Sequence, residues 1–164
     1  MNKMIEHPIP PLYDENSEIL ILGSFPSVKS REEGFFYGHP QNRFWKVTSA
    51  VFGEDLPRTV PEKRAFLLRN HIALWDVIGL CDIDGSADSS IRNVSANDLG
   101  VILDDADIKH IYVNGQTAYK YYRKYSEKDT GRSAICLPST SPANAAWSVE
   151  RLTEAWKCIK CVQM

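Results

Sequence analysis

Short runs of apolar residues, separated by segments with helical spacing, are the strongest regularity along the chain of 164 residues. Each run is flanked by Gly, Pro, Asn or Ser and is too short for a core helix, which is typical of a buried strand. Four strands are predicted on this basis, over residues 18–22, 72–78, 108–113 and 134–137.

Helical patterns lie between the predicted strands. Phe44, Val47 and Val51 recur at helical spacing, and Gly53 stands where such a helix would end. Other helices are predicted from their N-terminal signals. They begin near Pro61, after a segment at 95–98 that resembles a capping box, after Gly115 and after Ser148.

Strands that alternate with helices favour a parallel sheet covered on both faces. The sequence therefore predicts a single α/β domain over 1–164, a three-layer α/β/α sandwich around a central four-stranded parallel sheet. The loops that follow parallel strands gather at one edge of the sheet, where ligands bind. The segments expected at that edge are 23–27, 79–93, 114–116 and 138–142.

Composition and charge add few constraints. Hydrophobic residues make up 43% and charged residues 24% of the chain, as in ordinary soluble domains, and no apolar run is long enough to span a membrane. The first residues lack the apolar core of a signal peptide, so a cytoplasmic location is expected. A net charge of −2 does not itself favour DNA, although one basic face suffices for binding. The densest basic stretch, 119–125, is predicted to be a solvated helix face.

The four cysteines give no sign of a metal centre. Cys158 and Cys161 have C-x-x-C spacing, but neither a second such pair nor a nearby His pair completes a zinc or iron–sulfur site. Cys81 and Cys136 lie in a loop and in an apolar strand. We therefore expect reduced thiols, no metal, no iron–sulfur cluster and no other cofactor.

Two loops carry the candidate chemistry. The loop at 35–45 contains aromatic residues, a Gly-His-Pro turn and Asn42. Asn42 is well placed to be the N-cap or first residue of the next helix, where backbone N–H groups and the helix dipole favour an anion. The loop at 137–145 has small hydroxyl residues between two prolines, which suits close approach to a ligand.

Three segments then indicate a family. They are Leu-Ile-Leu-Gly-Ser-Phe-Pro at 20–26, Tyr-Gly-His-Pro-Gln-Asn-Arg-Phe-Trp at 37–45 and Leu-Pro-Ser-Thr-Ser-Pro at 137–142. They resemble the motifs of the hypoxanthine-DNA glycosylases, the sixth family of the uracil-DNA glycosylase superfamily, and the resemblance runs in order from about residue 18 to residue 160. It implies that the chain hydrolyses the N-glycosidic bond of a deaminated base in DNA, above all hypoxanthine, with uracil and xanthine as further substrates.

The same resemblance implies the site residues. In related uracil glycosylases, the residue before the Pro of the first motif is an Asn that positions the water. This chain has Phe25 at that place. The hypoxanthine family is understood to place that role on the Asn that matches Asn42, which is therefore the expected catalytic residue. The residues expected to bind the substrate or DNA are Gly23, Ser24, Phe25, Tyr37, His39, Asn114, Ser139, Ser141 and Asn144. A monomer without a strand-cutting lyase step is expected, because no lysine stands in a convincing Schiff-base position.

Simpler roles are open for several of these residues. The simpler role of Asn42 is that of a plain helix cap, and the simpler role of His39 is that of a turn residue hydrogen-bonded to the backbone. Tyr37 is either a stacking face for the base or a core residue. Asp76 is a rival acid or base, because an unpaired carboxylate inside a strand is unusual, and its simpler role is a structural hydrogen bond.

Two other functions are open at this point. One is an α/β enzyme that acts on small nucleosides, although neither G-x-G-x-x-G nor a P-loop occurs. The other is a nucleic-acid-binding module that has lost catalysis, which Phe25 in place of Asn suggests. An inosine-containing duplex distinguishes the three hypotheses, because they predict cleavage, no binding, and binding without cleavage.

Overall fold

A parallel four-stranded sheet forms the centre of the computed structural model, which describes residues 4–161. The strands of the described residues are β1 Met4–Glu6, β2 Ile19–Gly23, β3 Ile72–Asp76, β4 Ile78–Asp82, β5 Arg92–Ala96, β6 His110–Asn114 and β7 Ile135–Leu137. The order across the central sheet is β3-β2-β6-β7, and each neighbouring pair is parallel. The predicted four-stranded parallel sheet is confirmed.

Helices connect and cover these strands. Their bounds are α1 Val28–Glu33, α2 Phe44–Phe52, α3 Val60–Arg69, α4 Gly100–Leu103, α5 Gln116–Tyr121, α6 Glu127–Thr130, α7 Val149–Trp156 and α8 Cys158–Cys161. A 3₁₀ turn spans Asp88–Ser90, and a π-helical segment, Tyr122–Ser126, joins α5 to α6. The helix predicted from Gln116 to Tyr125 therefore continues to Thr130.

The strand β2 shows that the central sheet is covered on both faces. All five of its residues are buried, and successive side chains of a strand point to opposite faces. A strand that is apolar and buried at every position is typical of a parallel sheet between helical layers. This agrees with the predicted three-layer α/β/α sandwich. In one helical layer, α2 packs on α7 through Phe44 and Trp156, whose ring centroids lie 5.9 Å apart.

A second, antiparallel sheet lies beside the first, and the sequence pattern does not predict it. Its order is β1-β4-β5. The predicted strand 72–78 is wrong as a single element, because the chain leaves the central sheet after Asp76 and continues into β4. Val77 is fully buried at the junction, where its N–H donates to the Gly23 carbonyl at 2.9 Å. A continuous apolar run contains no signal that its two halves belong to different sheets.

The helix predicted after residues 95–98 is confirmed as the short α4, whereas the capping box predicted at 95–98 is wrong. Ser95 lies in β5, and only the single turn α4 follows. Asn97 instead donates from Nδ2 to the carbonyls of Asp76 and Ile78, at 2.9 and 3.2 Å. Such side-chain bonds to backbone groups compete with helix formation, and here they hold the junction between the two sheets.

The predicted ends of the other long helices are confirmed. Gly53 terminates α2 in the left-handed conformation, with φ 65°, which costs a glycine little. Ser148 caps α7 by accepting a hydrogen bond from the Arg151 N–H at 3.1 Å. Pro61 lies in the first turn of α3, and Thr59 is the cap residue there.

The cysteine side chains bear on the expectation of reduced thiols. Cys81 and Cys136 are free, and burial raises the pKa of the Cys81 thiol to about 11, which is typical of an unreactive thiol. The side chain of Cys161 lies outside the described residues.

Within residues 4–161, no helix is both long enough and apolar enough to cross a membrane.

Candidate active site

A cavity of about 310 Å³ opens at the carboxyl-terminal edge of the central sheet. Its walls come from the carboxyl ends of β3 and β6, from the loops after β2, β4 and β7 and from the aromatic loop before α2. Nine of the ten residues predicted for the site line this cavity. They are Gly23, Ser24, Phe25, Tyr37, His39, Asn42, Asn114, Ser139 and Ser141.

Asn42 lies two residues before α2, and its side chain is fixed by two donors. Its Oδ1 accepts hydrogen bonds from the Phe44 N–H and from the Thr140 hydroxyl, both at 2.9 Å. A backbone N–H can only donate, so this contact determines which end of the amide is the oxygen. Nδ2, which makes no hydrogen bond within the described part of the chain, is the group that is free for a ligand.

Arg43, rather than Asn42, is the N-cap residue of α2, and it makes no side-chain cap bond. The expectation that Asn42 is the N-cap or the first helical residue is therefore wrong by one position. Asn42 nevertheless binds the first N–H of the helix, that of Phe44. The capping and catalytic interpretations are compatible in this geometry, because capping uses Oδ1 and leaves Nδ2 free.

A hydrogen-bond network ties Asn42 to two other loops. Thr140 is fully buried, and its Oγ1 accepts from Asn114 Nδ2 at 3.0 Å while donating to Asn42. The Thr140 N–H donates to Asn114 Oδ1 at 3.0 Å, and Asn114 Nδ2 also donates to the Tyr37 hydroxyl at 3.2 Å. Asn114 is thus a structural bridge between strand ends, and its amide groups are already engaged.

Tyr37 forms one wall of the cavity in an unusual backbone conformation. Its φ is 52°, a left-handed value that is costly for an aromatic residue and is found mainly at functional sites. One face of its ring stacks on Phe44, with centroids 4.1 Å apart and planes 15° apart. Burial, reinforced by the charge of Asp76, raises the pKa of Tyr37 far above its usual range. Its hydroxyl is therefore a neutral donor.

Arg43 holds the loop that follows β7. Its guanidinium donates to the carbonyls of Thr140, Ser141, Asn144 and Trp147. The five N–H donors of a planar guanidinium can reach several carbonyls of one loop at the same time. This one side chain therefore sets the position of the loop against the aromatic loop from which it projects.

The hydroxyl groups of that loop support its own backbone. Ser139 Oγ accepts from the Ser141 N–H at 3.1 Å, and Ser141 Oγ accepts from the Ala143 N–H at 3.2 Å. Each hydroxyl retains its hydrogen for donation to a ligand. Asn144, in contrast, does not line the cavity, and its Nδ2 donates to the Ser139 carbonyl at 3.0 Å.

Asp76 stands at the end of β3 and forms part of the cavity wall. It is only 4% exposed, and its Oδ2 lies 2.7 Å from His7 Nε2. The strand register places Asp76 beside Gly23. A Cβ at residue 23 would come within 2.4 Å of Asp76 Oδ1 and 3.2 Å of the Tyr37 hydroxyl. Gly23 therefore makes room for these two side chains, whereas the sequence placed it among the residues expected to bind the substrate or DNA.

Ser24, Phe25 and His39 complete the predicted set. The Ser24 hydroxyl donates to Asp88 Oδ1 at 3.3 Å, while burial raises the pKa of Asp88 above its usual range. Phe25 is buried, and its ring meets the imidazole of His7 edge-on at 5.7 Å. His39 Nδ1 accepts from the Gln41 N–H at 3.1 Å, which is the backbone contact expected of a turn residue.

Three important residues were not singled out from the sequence. Arg43 and Thr140 stand inside the two motifs that indicate the family, so the motifs themselves were the available signal. His7 lies just after β1 and contacts Asp76 across 69 positions of the chain. No local pattern marks it.

No cluster of three or more metal-binding side chains occurs among the described residues. The polar side chains around the cavity are amides, hydroxyls, the imidazole of His39 and the carboxylates of Asp76 and Asp88. Such a set can select a ligand by hydrogen bonding and can stabilise a developing charge.

Comparisons with known proteins agree with this geometry. A model of the Uracil DNA glycosylase superfamily matches residues 10–161. A protein from Methanosarcina acetivorans named hypoxanthine DNA glycosylase is 36% identical over 158 residues, which are 95% of this chain and 98% of that protein. A protein of the same name from Methanosarcina barkeri is 39% identical over 114 residues, 68% of this chain and 72% of the relative.

A solved structure is similar over the whole fold. It is the solution NMR structure of a protein from Methanosarcina acetivorans that is provisionally described as a uracil DNA glycosylase. The TM-score is 0.82 at 32% identity, and the match covers 99% of this chain and 100% of the other.

Proposed function

Because this chain belongs to the uracil DNA glycosylase superfamily, we propose that it is a base-excision glycosylase that removes hypoxanthine from DNA. The observation that carries the proposal is the cavity at the sheet edge, where the family motifs converge around Asn42. The names of its two Methanosarcina relatives support hypoxanthine as the base. We also propose, as expected from the sequence, that the enzyme is cytoplasmic and monomeric.

The cavity suits a nucleotide that has left the DNA helix. A glycosylase must rotate its target out of the duplex, which costs a few kcal/mol, and then hold the base by stacking and by hydrogen bonds. Tyr37 supplies an aromatic wall that is itself backed by Phe44. Ser139 and Ser141 lie at the rim on a loop braced by Arg43, where their hydroxyls can donate to the DNA backbone.

Asn42 acts in this proposal as a preorganised donor. Hydrolysis forms a bond from water oxygen to the sugar carbon and breaks the bond to the base, which leaves with the electron pair. The water proton passes to solvent or to the base. A fixed N–H donor stabilises the negative charge that develops, and such a donor is worth about 3–4 kcal/mol in a dry site. Nδ2 of Asn42 is free for this task because Oδ1 is held by Phe44 and Thr140.

The purified protein is expected to release free hypoxanthine from a duplex that contains one deoxyinosine. The product is an intact strand with an abasic site, because the proposed reaction is hydrolysis and involves no lysine adduct. Chromatography of the free base and gel analysis before and after alkali measure the two products. Matched duplexes with adenine, uracil or xanthine at the same position measure the selectivity.

Two outcomes would contradict this assignment. Strand breaks without alkali would show a lyase step, and failure to release hypoxanthine from any duplex would refute the proposed substrate. Tight binding of the inosine duplex without release would instead support a binding module that has lost catalysis.

Excision is expected to continue unchanged in the presence of a chelator. The proposed mechanism uses amide and hydroxyl donors, and the described residues contain no cluster of metal-binding side chains. Single-turnover rates with and without excess EDTA, together with elemental analysis of the protein, provide the measurement. A stoichiometric metal whose removal stops turnover would refute this prediction and direct attention to Cys158 and Cys161.

A further inference from the structure

The carboxylate of Asp76 has one oxygen that the protein itself does not use. Oδ2 is bound by His7, whereas Oδ1 has no hydrogen-bond partner among residues 4–161. Asp76 is 4% exposed and lines the cavity. Because Asp76 lines the cavity, a ligand that supplies an N–H donor can bind this oxygen, and hydrogen bonds to charged groups are among the stronger ones.

The tautomer of His7 shows how the carboxylate is held. The Ile9 N–H donates to His7 Nδ1 at 3.2 Å, and a backbone N–H can only donate. The ring hydrogen of the neutral imidazole is therefore on Nε2, which donates to Asp76 Oδ2 at 2.7 Å. The imidazole in turn packs edge-on against Phe25 and Trp75, at 5.7 and 6.2 Å between centroids.

The free oxygen also lies beside other groups of the cavity. A Cβ at Gly23 would reach within 2.4 Å of Oδ1, so this atom rests on the backbone at the end of β2. The same Cβ would lie 3.2 Å from the Tyr37 hydroxyl. The carboxylate oxygen and the phenol hydroxyl thus both lie against the end of β2, where they supply an acceptor and a donor to the cavity wall.

We infer that Asp76 distinguishes hypoxanthine from adenine by accepting a hydrogen bond from the ring N1–H, and that His7 positions it. This inference rests on the proposed function. Deamination of adenine turns N1 from an acceptor into a donor and replaces the 6-amino donor by a carbonyl acceptor. Asp76 Oδ1 is matched to the N1–H of hypoxanthine and opposes the N1 lone pair of adenine. Guanine carries the same N1–H, so its exclusion does not depend on this residue.

The charge of Asp76 is consistent with selection rather than with cleavage. A base that leaves as an anion gains nothing from a second negative charge nearby. A buried carboxylate discriminates strongly between ligands, because a site built to form a hydrogen bond rejects an analogue that leaves the polar atoms of the site unpaired. Flipped bases are read in this manner along the Watson–Crick edge.

The test compares two bases in the wild-type protein and in Asp76→Asn. One duplex carries hypoxanthine, and the other carries unsubstituted purine, whose N1 is an acceptor. In Asp76→Asn, His7 holds the amide oxygen and Nδ2 faces the cavity as a donor. We expect single-turnover release of hypoxanthine to fall by about 10- to 100-fold, since a hydrogen bond to a charged group is lost. Release of purine changes little or rises, so the hypoxanthine-to-purine ratio falls by about 10-fold or more.

Asp55→Asn is the control, because Asp55 is an exposed carboxylate that does not line the cavity and the substitution makes the same chemical change. It should leave the hypoxanthine-to-purine ratio at the wild-type value. His7→Phe should lower the ratio as Asp76→Asn does, whereas His7→Gln, whose Nε2 can occupy the place of the imidazole Nε2, should restore it. The ratio is insensitive to a loss of folded protein, which would lower both rates together.

Each outcome is decisive. An unchanged ratio in Asp76→Asn overturns the inference, and so does a parallel fall for both bases, which would assign Asp76 to the sugar cation or to the water. If purine release is too slow to measure, competition binding of the two duplexes in an Asn42→Ala background gives the same comparison. If the wild-type protein releases no hypoxanthine, the proposed function fails instead.

Discussion

Replacing Asn42 by Ala is expected to slow the release of hypoxanthine by about 10²- to 10³-fold while the protein remains folded. The substitution removes the Nδ2 donor from the cavity, and with it the stabilisation of charge on the departing base. It also deprives the Phe44 N–H and the Thr140 hydroxyl of their acceptor, which should lower the free energy of unfolding by about 1 kcal/mol. Single-turnover kinetics and thermal melting measure these two effects separately.

Asn42→Asp is the sharper variant because it retains the acceptor and replaces the donor by a charged oxygen. A carboxylate can still bind the Phe44 N–H, so stability should stay close to that of the wild type. The rate should nevertheless fall as far as in Asn42→Ala. If Asp supports near wild-type release, the residue acts as an acceptor that orients the water. If Ala does so, Asn42 is only a helix cap, and Asp76 becomes the next candidate for catalysis.

Arg43→Ala is expected to reduce both stability and activity. The guanidinium donates to four carbonyls of the loop after β7, so its removal leaves partly buried acceptors without partners, at a cost of about 1–3 kcal/mol in the free energy of unfolding. The loop carries Ser139 and Thr140 into the cavity. A displacement of about 1 Å in such a positioning element can cost roughly 100-fold in rate. Denaturant unfolding and single-turnover assays provide the measurement.

Arg64→Ala is the control for this prediction, because Arg64 is an exposed residue of α3 and its removal changes the net charge by the same amount. It should leave the free energy of unfolding and the rate close to their wild-type values. Arg43→Lys should recover little, since one ammonium group cannot reproduce the fork. An Arg43→Ala protein with normal stability and normal rate would show that the loop is held by other contacts.

The parallel sheet and the edge at which the cavity opens could be predicted from local patterns of residues. Both follow from local regularities: buried strands of this type are continuous apolar runs, and strand-end loops of a parallel sheet share one edge. The motif at 37–45 also indicated the family and identified Asn42 as the candidate catalytic residue. These features could be predicted because each depends on residues that are close together in the chain.

Which atom of each side chain faces the cavity depends on contacts between segments that are distant along the chain. Asn42 presents Nδ2 because Thr140, 98 positions away, occupies Oδ1. The break of the apolar run after Asp76 depends on a second sheet that no local spacing announces. The free oxygen of Asp76 likewise depends on His7, 69 positions away, and on the missing Cβ of Gly23. Spacing along the chain encodes which face of an element is buried, whereas hydrogen-bond partners between distant segments are fixed only when packing brings them within about 3 Å of each other.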